Sequence, residues 1–406
     1  MKIFSFFSGA GFLDLGFESQ GFETVYVNEF HPPFMNAYKY ARQKLDIPKP
    51  IYGYFRGDIQ ELSSGLWAQR LREHIKEVQQ SNQLVGFIGG PPCPDFSVGG
   101  KNRGKKGEKG KLSASYVRLI CEQKPDFFLF ENVKGLWRTK RHRAFYEELK
   151  KEIHEAGYYT TERLINSIEY GVPQDRDRII LLGFRKSLQD YLPECAIKND
   201  NFISEEAFNW TLCAKYPNRS AFEDYNWPTK GKFQEELEVP PPHNIPIELT
   251  VEYWFQKNKV DQHPNAKHAF TPRAGLSKFK IIDEGDDSKK SYKRLHRWRY
   301  SPTAAYGNNE VHLHPYKARR ISAAEALAIQ SLPSTFVLPP DMTLTDMFKT
   351  IGNGVPYLAS AGIAASIKSF LGKTHEVDSR KSSESYWQPA EKQILQLRLL
   401  EKSRQN

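Results

Sequence analysis

The first 185 residues predict an α/β domain built on a doubly wound, parallel sheet. Three observations carry this. Short apolar runs alternate with segments of helical periodicity. The runs are continuous rather than every-other-residue, as strands buried on both faces are. And chemistry-bearing residues fall at or just past the ends of these runs: Gly9, Glu29, Asp58, Cys93 and Glu131. Ligands of such sheets sit at the carboxyl ends of the strands.

In chain order, KIFSFFS (2–8) reads as the first strand and FLDLGFESQ as a helix. TVYVN (24–28) is strand-like, and GYFRGDI (53–59) holds another short candidate. LWAQRLREHIKEV (66–78) is an amphipathic helix. LVGFIGG (84–90) and FFLFENV (127–133) read as buried strands, with SYVRLICEQ helical between them. RAFYEELKKEIHEA is helical, and RIILLGF (178–184) closes the block. From 186 to about 295 the alternation stops, prolines cluster in VPPPHNIP, and tryptophans scatter at 210, 227 and 254. Order returns near 296. ISAAEALAIQSL opens with a capping box, Ser322 with Glu325 three residues on. VPYLASAGIAASIKSFL is a further helix with Pro356 near its first turn. The stretch beyond 373 is polar, with one helical candidate, PAEKQILQLRLLEK.

Composition narrows the function. With 39% hydrophobic and 13% aromatic residues the 406-residue chain can build a sizeable core. No run approaches the roughly 18 apolar residues of a membrane span. The four cysteines, at 93, 121, 195 and 213, show neither paired metal-ligand spacing nor a disulfide framework, so no metal is expected and the compartment reads as the reducing cytoplasm. A formal charge of +10 favours a polyanionic partner, nucleic acid first.

FFSGAGFLDLGFE (6–18) joins the first strand to the first helix. Gly9 and Gly11 let the backbone approach a ligand. A dinucleotide fingerprint would need glycine at position 14, where this chain has Asp14. A pyrophosphate is therefore disfavoured, and a nucleoside cofactor without phosphates remains. Glu29 could accept from ribose hydroxyls and Asp58 from an adenine amino group. S-adenosylmethionine presents both groups and no phosphate. A tight strand–helix turn with ordinary caps would look the same.

GGPPCPDFS holds Cys93 between prolines that fix the backbone. Fixed geometry suits a nucleophile, and it also suits a buried structural cysteine. Glu131 ends a run of Phe and Leu, where desolvation tends to raise a carboxyl pKa and suits a general acid; a carboxylate capping the next helix is the plainer alternative. In QDRDR (174–178), period two puts Gln174, Arg176 and Arg178 on one face and Asp175 and Asp177 on the other. Two arginines on one face suit phosphate or base contacts, unless the stretch is a solvated charge ladder. GGKNRGKKGEKGK (99–111), with five glycines and six basic residues, reads as a loop able to close over a polyanion, or as an exposed linker.

Taken in order, FFSGAGFLDLGFE, GGPPCPDFS, ENVKGL, QDRDRIILLG, ARRISAAEALAIQSLP and GNGVP resemble the cytosine-C5 DNA methyltransferase family, in the form of bacterial type II modification methylases. The resemblance covers 1–185 and 296–372, and 186–295 falls where that family places its variable target-recognition region. It implies a Rossmann-like S-adenosylmethionine-dependent methyltransferase fold, a mixed sheet with a smaller irregular recognition domain. The catalytic domain is then 1–185, the recognition region 186–295, the returning helices 296–372 and a polar tail 373–406. Cys93 would attack C6 of a cytosine flipped out of double-stranded DNA, Glu131 would engage N3, and Arg178 with Arg176 would hold base and loop. Phe7, Ser8, Gly9, Ala10, Gly11, Leu13, Glu29, Asp58, Ile59, Pro91, Asn353 and Val355 would bind S-adenosylmethionine. Ser97, Lys101, Arg103, Lys105, Lys106 and Gln174 would contact DNA. The chain would act as a monomer on nucleoid DNA in the bacterial cytoplasm, paired in function with a restriction endonuclease but not bound to it. Pro94 departs from the Gln that often follows the nucleophile in the family. Three other readings compete: a tRNA cytosine methyltransferase, a catalytically silent nucleic-acid-binding protein, and a nicotinamide-dependent oxidoreductase. Asp14 and Cys93 speak against the last.

Overall fold

The computed structural model describes residues 1–92, 108–192, 196–199, 201–272, 276–306 and 310–372. The N-terminal block contains β1 (Lys2–Phe6), α1 (Phe12–Glu18), β2 (Glu23–Asn28), α2 (Pro32–Lys44), β3 (Tyr54–Phe55), α3 (Gly65–Gln80) and β4 (Val85–Gly89). It continues through α4 (Glu108–Gln123), β5 (Phe127–Val133), α5 (Lys134–Arg138), α6 (Lys140–Glu155), β6 (Tyr158–Asn166) and β7 (Asp177–Arg185). Two short strands follow, β8 (Ile197–Asn199) and β9 (Phe202–Ile203). All nine form one sheet in the order β3-β2-β1-β4-β5-β7-β6-β9-β8.

The sheet is mixed, as the family resemblance implies, where the alternation of elements alone predicts a parallel one. β3, β2, β1, β4 and β5 run parallel, whereas β7 is antiparallel to both neighbours, β5 and β6. The reason lies in the connection. Parallel neighbours need a long crossover, but β6 returns to β7 through residues 167–176 with only a 3-10 turn, Ser167–Tyr170. β6 itself was not foreseen, because Glu162 and Arg163 interrupt its apolar pattern; both are only partly covered. The candidate third strand shrinks to two residues, and α2 opens on two prolines at its first turn.

Alternating strand residues feed the two faces of the sheet. Phe4, Phe87, Phe128 and Leu181 pack under α3, α4 and α6 with Leu71, Leu119 and Leu149. Ile3, Ile88, Leu129 and Leu182 pack under α1 with Phe17, and under α12 (Tyr357–Gly372) with Ile363 and Phe370. The chain thus returns to its first strand through its last described helix.

Residues 204–295 contain few regular elements: α7 (Ser220–Glu223), α8 (Val251–Lys257) and α9 (Leu276–Ile281) among turns. The residues just after 185 do not share this irregularity, since β9 pairs with β6 and extends the sheet. A third core joins α8 to α10 (Ala323–Ile329), α11 (Leu344–Asn353) and the first turn of α1, through Trp254, Leu327, Phe348 and Phe12. The capping box is present: Ser322 Oγ accepts from Glu325 N at 3.3 Å, and Glu325 Oε2 accepts from Ser322 N at 2.7 Å. Burial would raise the Glu325 pKa, but hydrogen bonds from Arg319 and His314 hold it well below the carboxylate range. Among the described residues no helix is long and apolar enough to cross a membrane.

Ser322→Ala should lower unfolding free energy by about 1 kcal/mol, read from the midpoint of a urea titration at unchanged slope. An unshifted midpoint would mean that Arg319 and His314 alone seat α10.

Candidate active site

The order of strands reverses at β1, whose neighbours β2 and β4 carry the chain to opposite sides. The crevice outside the carboxyl ends of β1 and β4 is where such folds bind ligands. Around it stand the loop after β1, Glu29 after β2, Asp58 after β3, Pro91 after β4 and Glu131 in β5.

The glycine loop wraps round Glu29. Phe7 and Gly9 both take left-handed backbone, φ 52° and 56°. Gly9 N donates to Glu29 Oε2 at 2.9 Å, and His31 N donates to Oε1 at 2.8 Å. Burial pushes the Glu29 pKa up, opposed by these two amides. Each carboxylate oxygen keeps a further lone pair for a ligand hydroxyl. Among the described residues Ser8 Oγ is buried without a hydrogen-bond partner, as is Thr350 Oγ1, which lies 3.6 Å from where a Gly9 Cβ would stand. Thr350 belongs to α11, a helix that was not foreseen, so no sequence signal pointed to it.

Gly11 has a different use from the one expected. A Cβ there, at φ 84°, would come within 2.6 Å of Arg42 and 2.7 Å of Tyr38. Its lack of a side chain makes room for Tyr38 and Arg42 of α2. Tyr38 donates to Asp14 Oδ1 at 2.9 Å, and Arg42 Nη2 donates to both oxygens of Glu18 at 2.9 Å. Asp14, the residue that breaks the dinucleotide fingerprint, is therefore a fully buried partner of α2. Asp58 caps the 3-10 turn Ile59–Leu62, its Oδ1 accepting from Gln60 N at 2.9 Å. The side chains of Ala10, Leu13 and Ile59 are packed into the three cores, and Val355 and Pro91 are buried. Phe7 is half-buried, its ring edge-on to Tyr116 at 5.9 Å, and Asn353 is exposed at the end of α11.

At the other side of the crevice, Arg178 Nε meets Glu131 Oε1 at 2.7 Å, both side chains nearly buried. β7 runs against β5, with Val133 opposite Arg178, so the first residues of one strand meet the last of the other. Gly90 is the seat of this carboxylate: a Cβ there would stand 2.5 Å from Glu131 Oε2.

The period-two reading of QDRDR holds, but two of its uses do not. Asp175 and Asp177 share a face, both accepting from Asn166 Nδ2, at 2.7 and 2.9 Å. Gln174 and Arg176 share the other, both on Ala304. Gln174 is fully buried, its Oε1 accepting from Ala304 N at 3.0 Å and its Nε2 donating to Gln330 Oε1 at 3.1 Å. That side chain has no face left for DNA. Arg176 is also fully buried and donates to the carbonyls of Ala304, Gly352 and Gly354, at 3.2, 2.8 and 3.0 Å. Burial and then Arg178 push its pKa well below the arginine value, against Glu131. It positions the GNG turn next to the crevice. Cys93, Pro94, Ser97, Lys101, Arg103, Lys105 and Lys106 lie outside the described residues.

A mixed α/β sheet thus carries at one edge a glycine loop wrapped round Glu29 and a glutamate clamped by Arg178. The comparisons make the class specific. The family described as C-5 cytosine-specific DNA methylase matches residues 1–369. The chain is 60% identical over 374 residues to the type II methyltransferase M.NmeDI of Neisseria meningitidis serogroup C, covering 92% of this chain and 85% of that one. It is 32% identical to the type II methyltransferase M.FnuDI of Fusobacterium nucleatum, over 91% and 95% of the two chains. A DNA modification methyltransferase encoded in an Escherichia coli prophage shares the fold, with TM-score 0.60 and 21% identity, over 92% of this chain and 99% of that one. The chain belongs to the C-5 cytosine-specific DNA methylase family, and it is a DNA cytosine-5 methyltransferase.

Gly90→Ala should displace Glu131 and lower kcat by about 100-fold while leaving cofactor affinity in calorimetry near wild type. A normal kcat would show that the seat of Glu131 does not limit the chemistry.

Proposed function

We propose that this protein transfers a methyl group from S-adenosylmethionine to C5 of one cytosine in a specific double-stranded DNA word, and so protects that word from a cognate restriction endonuclease. The observation that carries the reading is Glu131, held by Arg178 against Gly90, with a cysteine three residues further along the chain. Such a site can hold the ring edge of a cytosine while a thiolate approaches C6.

The cofactor fits the residues present. Glu29 has lone pairs for the ribose hydroxyls, Asp58 can accept from the adenine amino group, and the orphan hydroxyls of Ser8 and Thr350 face the loop of Gly9. Asn353 and Val355 close the pocket from the turn that Arg176 holds. When bound, S-adenosylmethionine supplies a methyl group made electrophilic by its sulfonium. The base must leave the stack, because C6 is out of reach in the duplex. Cys93 adds to C6, and Glu131 donates a hydrogen bond or proton to N3, so that charge collects at C5. Arg178 fixes the glutamate and shields the flipped base from water. After methylation the C5 proton leaves, the Cys93–C6 bond breaks by β-elimination, and the thiolate returns. The basic side chains at 101, 103, 105 and 106 contact the DNA backbone. The protein acts as a monomer in the cytoplasm and needs no physical contact with the endonuclease.

Bisulfite sequencing of DNA from cells expressing the protein should show one short word protected at one cytosine. Cys93→Ser should abolish protection, while DNA and S-adenosylmethionine binding persist. Methylation by the serine variant, or methyl label in tRNA alone, would overturn the reading.

A further inference from the structure

Asp177, the first residue of β7, holds two cations from distant parts of the chain. Its carboxylate accepts from Lys134 Nζ, directly after the strand of Glu131, and from Arg219 Nη1 at 2.9 Å, out of the irregular region. Asn166 donates a third bond at 2.9 Å. The register sets this group at the carboxyl edge of the sheet: Val133 faces Arg178, and Asn166 faces Asp177. Arg178, the next residue, is the one that grips Glu131. The carboxylate is turned inward and the cations outward, with side-chain exposures of 16% for Asp177, 35% for Lys134 and 43% for Arg219.

The placement of Arg219 is built rather than incidental. Asn218 and Arg219 both adopt left-handed backbone, φ 54° and 63°, which is unfavourable for residues other than glycine. Buried Glu169 anchors the pair: its Oε1 accepts from Arg219 N at 3.2 Å, and its Oε2 lies 3.9 Å from Arg163, which reaches Asn218 Oδ1 at 3.5 Å. The guanidinium then lies 4.7 Å over the Phe222 ring. An ordinary surface ion pair gains too little to sustain such backbone strain.

We propose that Lys134 and Arg219 form a clamp for a backbone phosphate of the DNA strand that carries the target cytosine, pre-oriented by Asp177. The proposal rests on the DNA reading above. With Asp175 beside Asp177 on Asn166, and Glu169 beside Arg163, the group is balanced in number, so what it offers a phosphate is two partly exposed cationic donors at the edge of the site. Arginine offers a planar donor fork to phosphate oxygens and lysine a mobile point charge. The clamp spans the N-terminal block and the irregular region, so a phosphate seated there sets the spacing between the flipped base and the recognised word.

The alternative is that Asp177 merely ties the irregular region to β7, and the two ideas predict opposite effects for its removal. The test is the slope of log Kd against log salt for the full-length protein on a duplex containing its methylated word. Lys134→Gln and Arg219→Gln should each weaken binding several-fold and flatten the slope by about one unit, on specific and unrelated duplexes alike. Asp177→Asn should bind at least as tightly as wild type with no loss of slope. S-adenosylmethionine binding at wild-type strength verifies the fold of each variant. Unchanged slopes in both Gln variants would overturn the clamp, as would an Asp177→Asn variant weakened in parallel with Arg219→Gln. Should Asp177→Asn fail to fold, the two slopes decide alone. A wild type that bound no DNA would overturn the DNA reading itself.

Discussion

One strand enters the sheet backwards, and the active site depends on it. β1, β2, β4 and β5 bring their last residues to the carboxyl edge; β7, running against β5, brings its first residues there instead. A stretch of five residues, 174–178, is thereby delivered to the crevice with alternating side chains on alternating sides. Arg178 reaches Glu131, Arg176 pins three carbonyls of the returning chain, Gln174 locks Gln330 and Ala304, and Asp177 gathers Lys134 and Arg219. Run the strand the other way and none of these partners is in reach.

Arg176 shows how much energy the arrangement concentrates in one group. A guanidinium without solvent exposure is costly unless its donors are taken up. Here Nη1 and Nη2 donate to the carbonyls of Ala304, Gly352 and Gly354, while Nε has no partner among the described residues. The turn that carries Asn353 is therefore fixed relative to β7, and so to Glu131.

Much of this was legible in the sequence. Continuous apolar runs gave away β1, β2, β4, β5 and β7, because strands covered on both faces cannot be polar. The residues that close those runs lie round the crevice, as the rule for doubly wound sheets requires. Less visible was whatever depends on tertiary partners. β6 hides Glu162 and Arg163 in ion pairs with Lys150 and Glu169. Spacing does not show that a side chain at Gly11 would meet Tyr38 and Arg42, or that one at Gly90 would meet Glu131. Gln174 and Arg176 look like a nucleic-acid face, and period two does place them together; only the third core reveals that this face is covered. Spacing tells which side chains share a side, but not what is packed against it.

The central claim is that a thiolate at position 93 attacks the base that Glu131 and Arg178 hold. It is tested most directly by trapping. In duplex DNA whose target cytosine carries fluorine at C5, no proton can leave after methylation, so elimination is blocked and the adduct persists. With S-adenosylmethionine present, the account predicts a denaturation-resistant protein–DNA complex whose peptide map places the link on Cys93. A complex linked through any other residue, or none while ordinary cytosine in the same duplex is methylated, would contradict it.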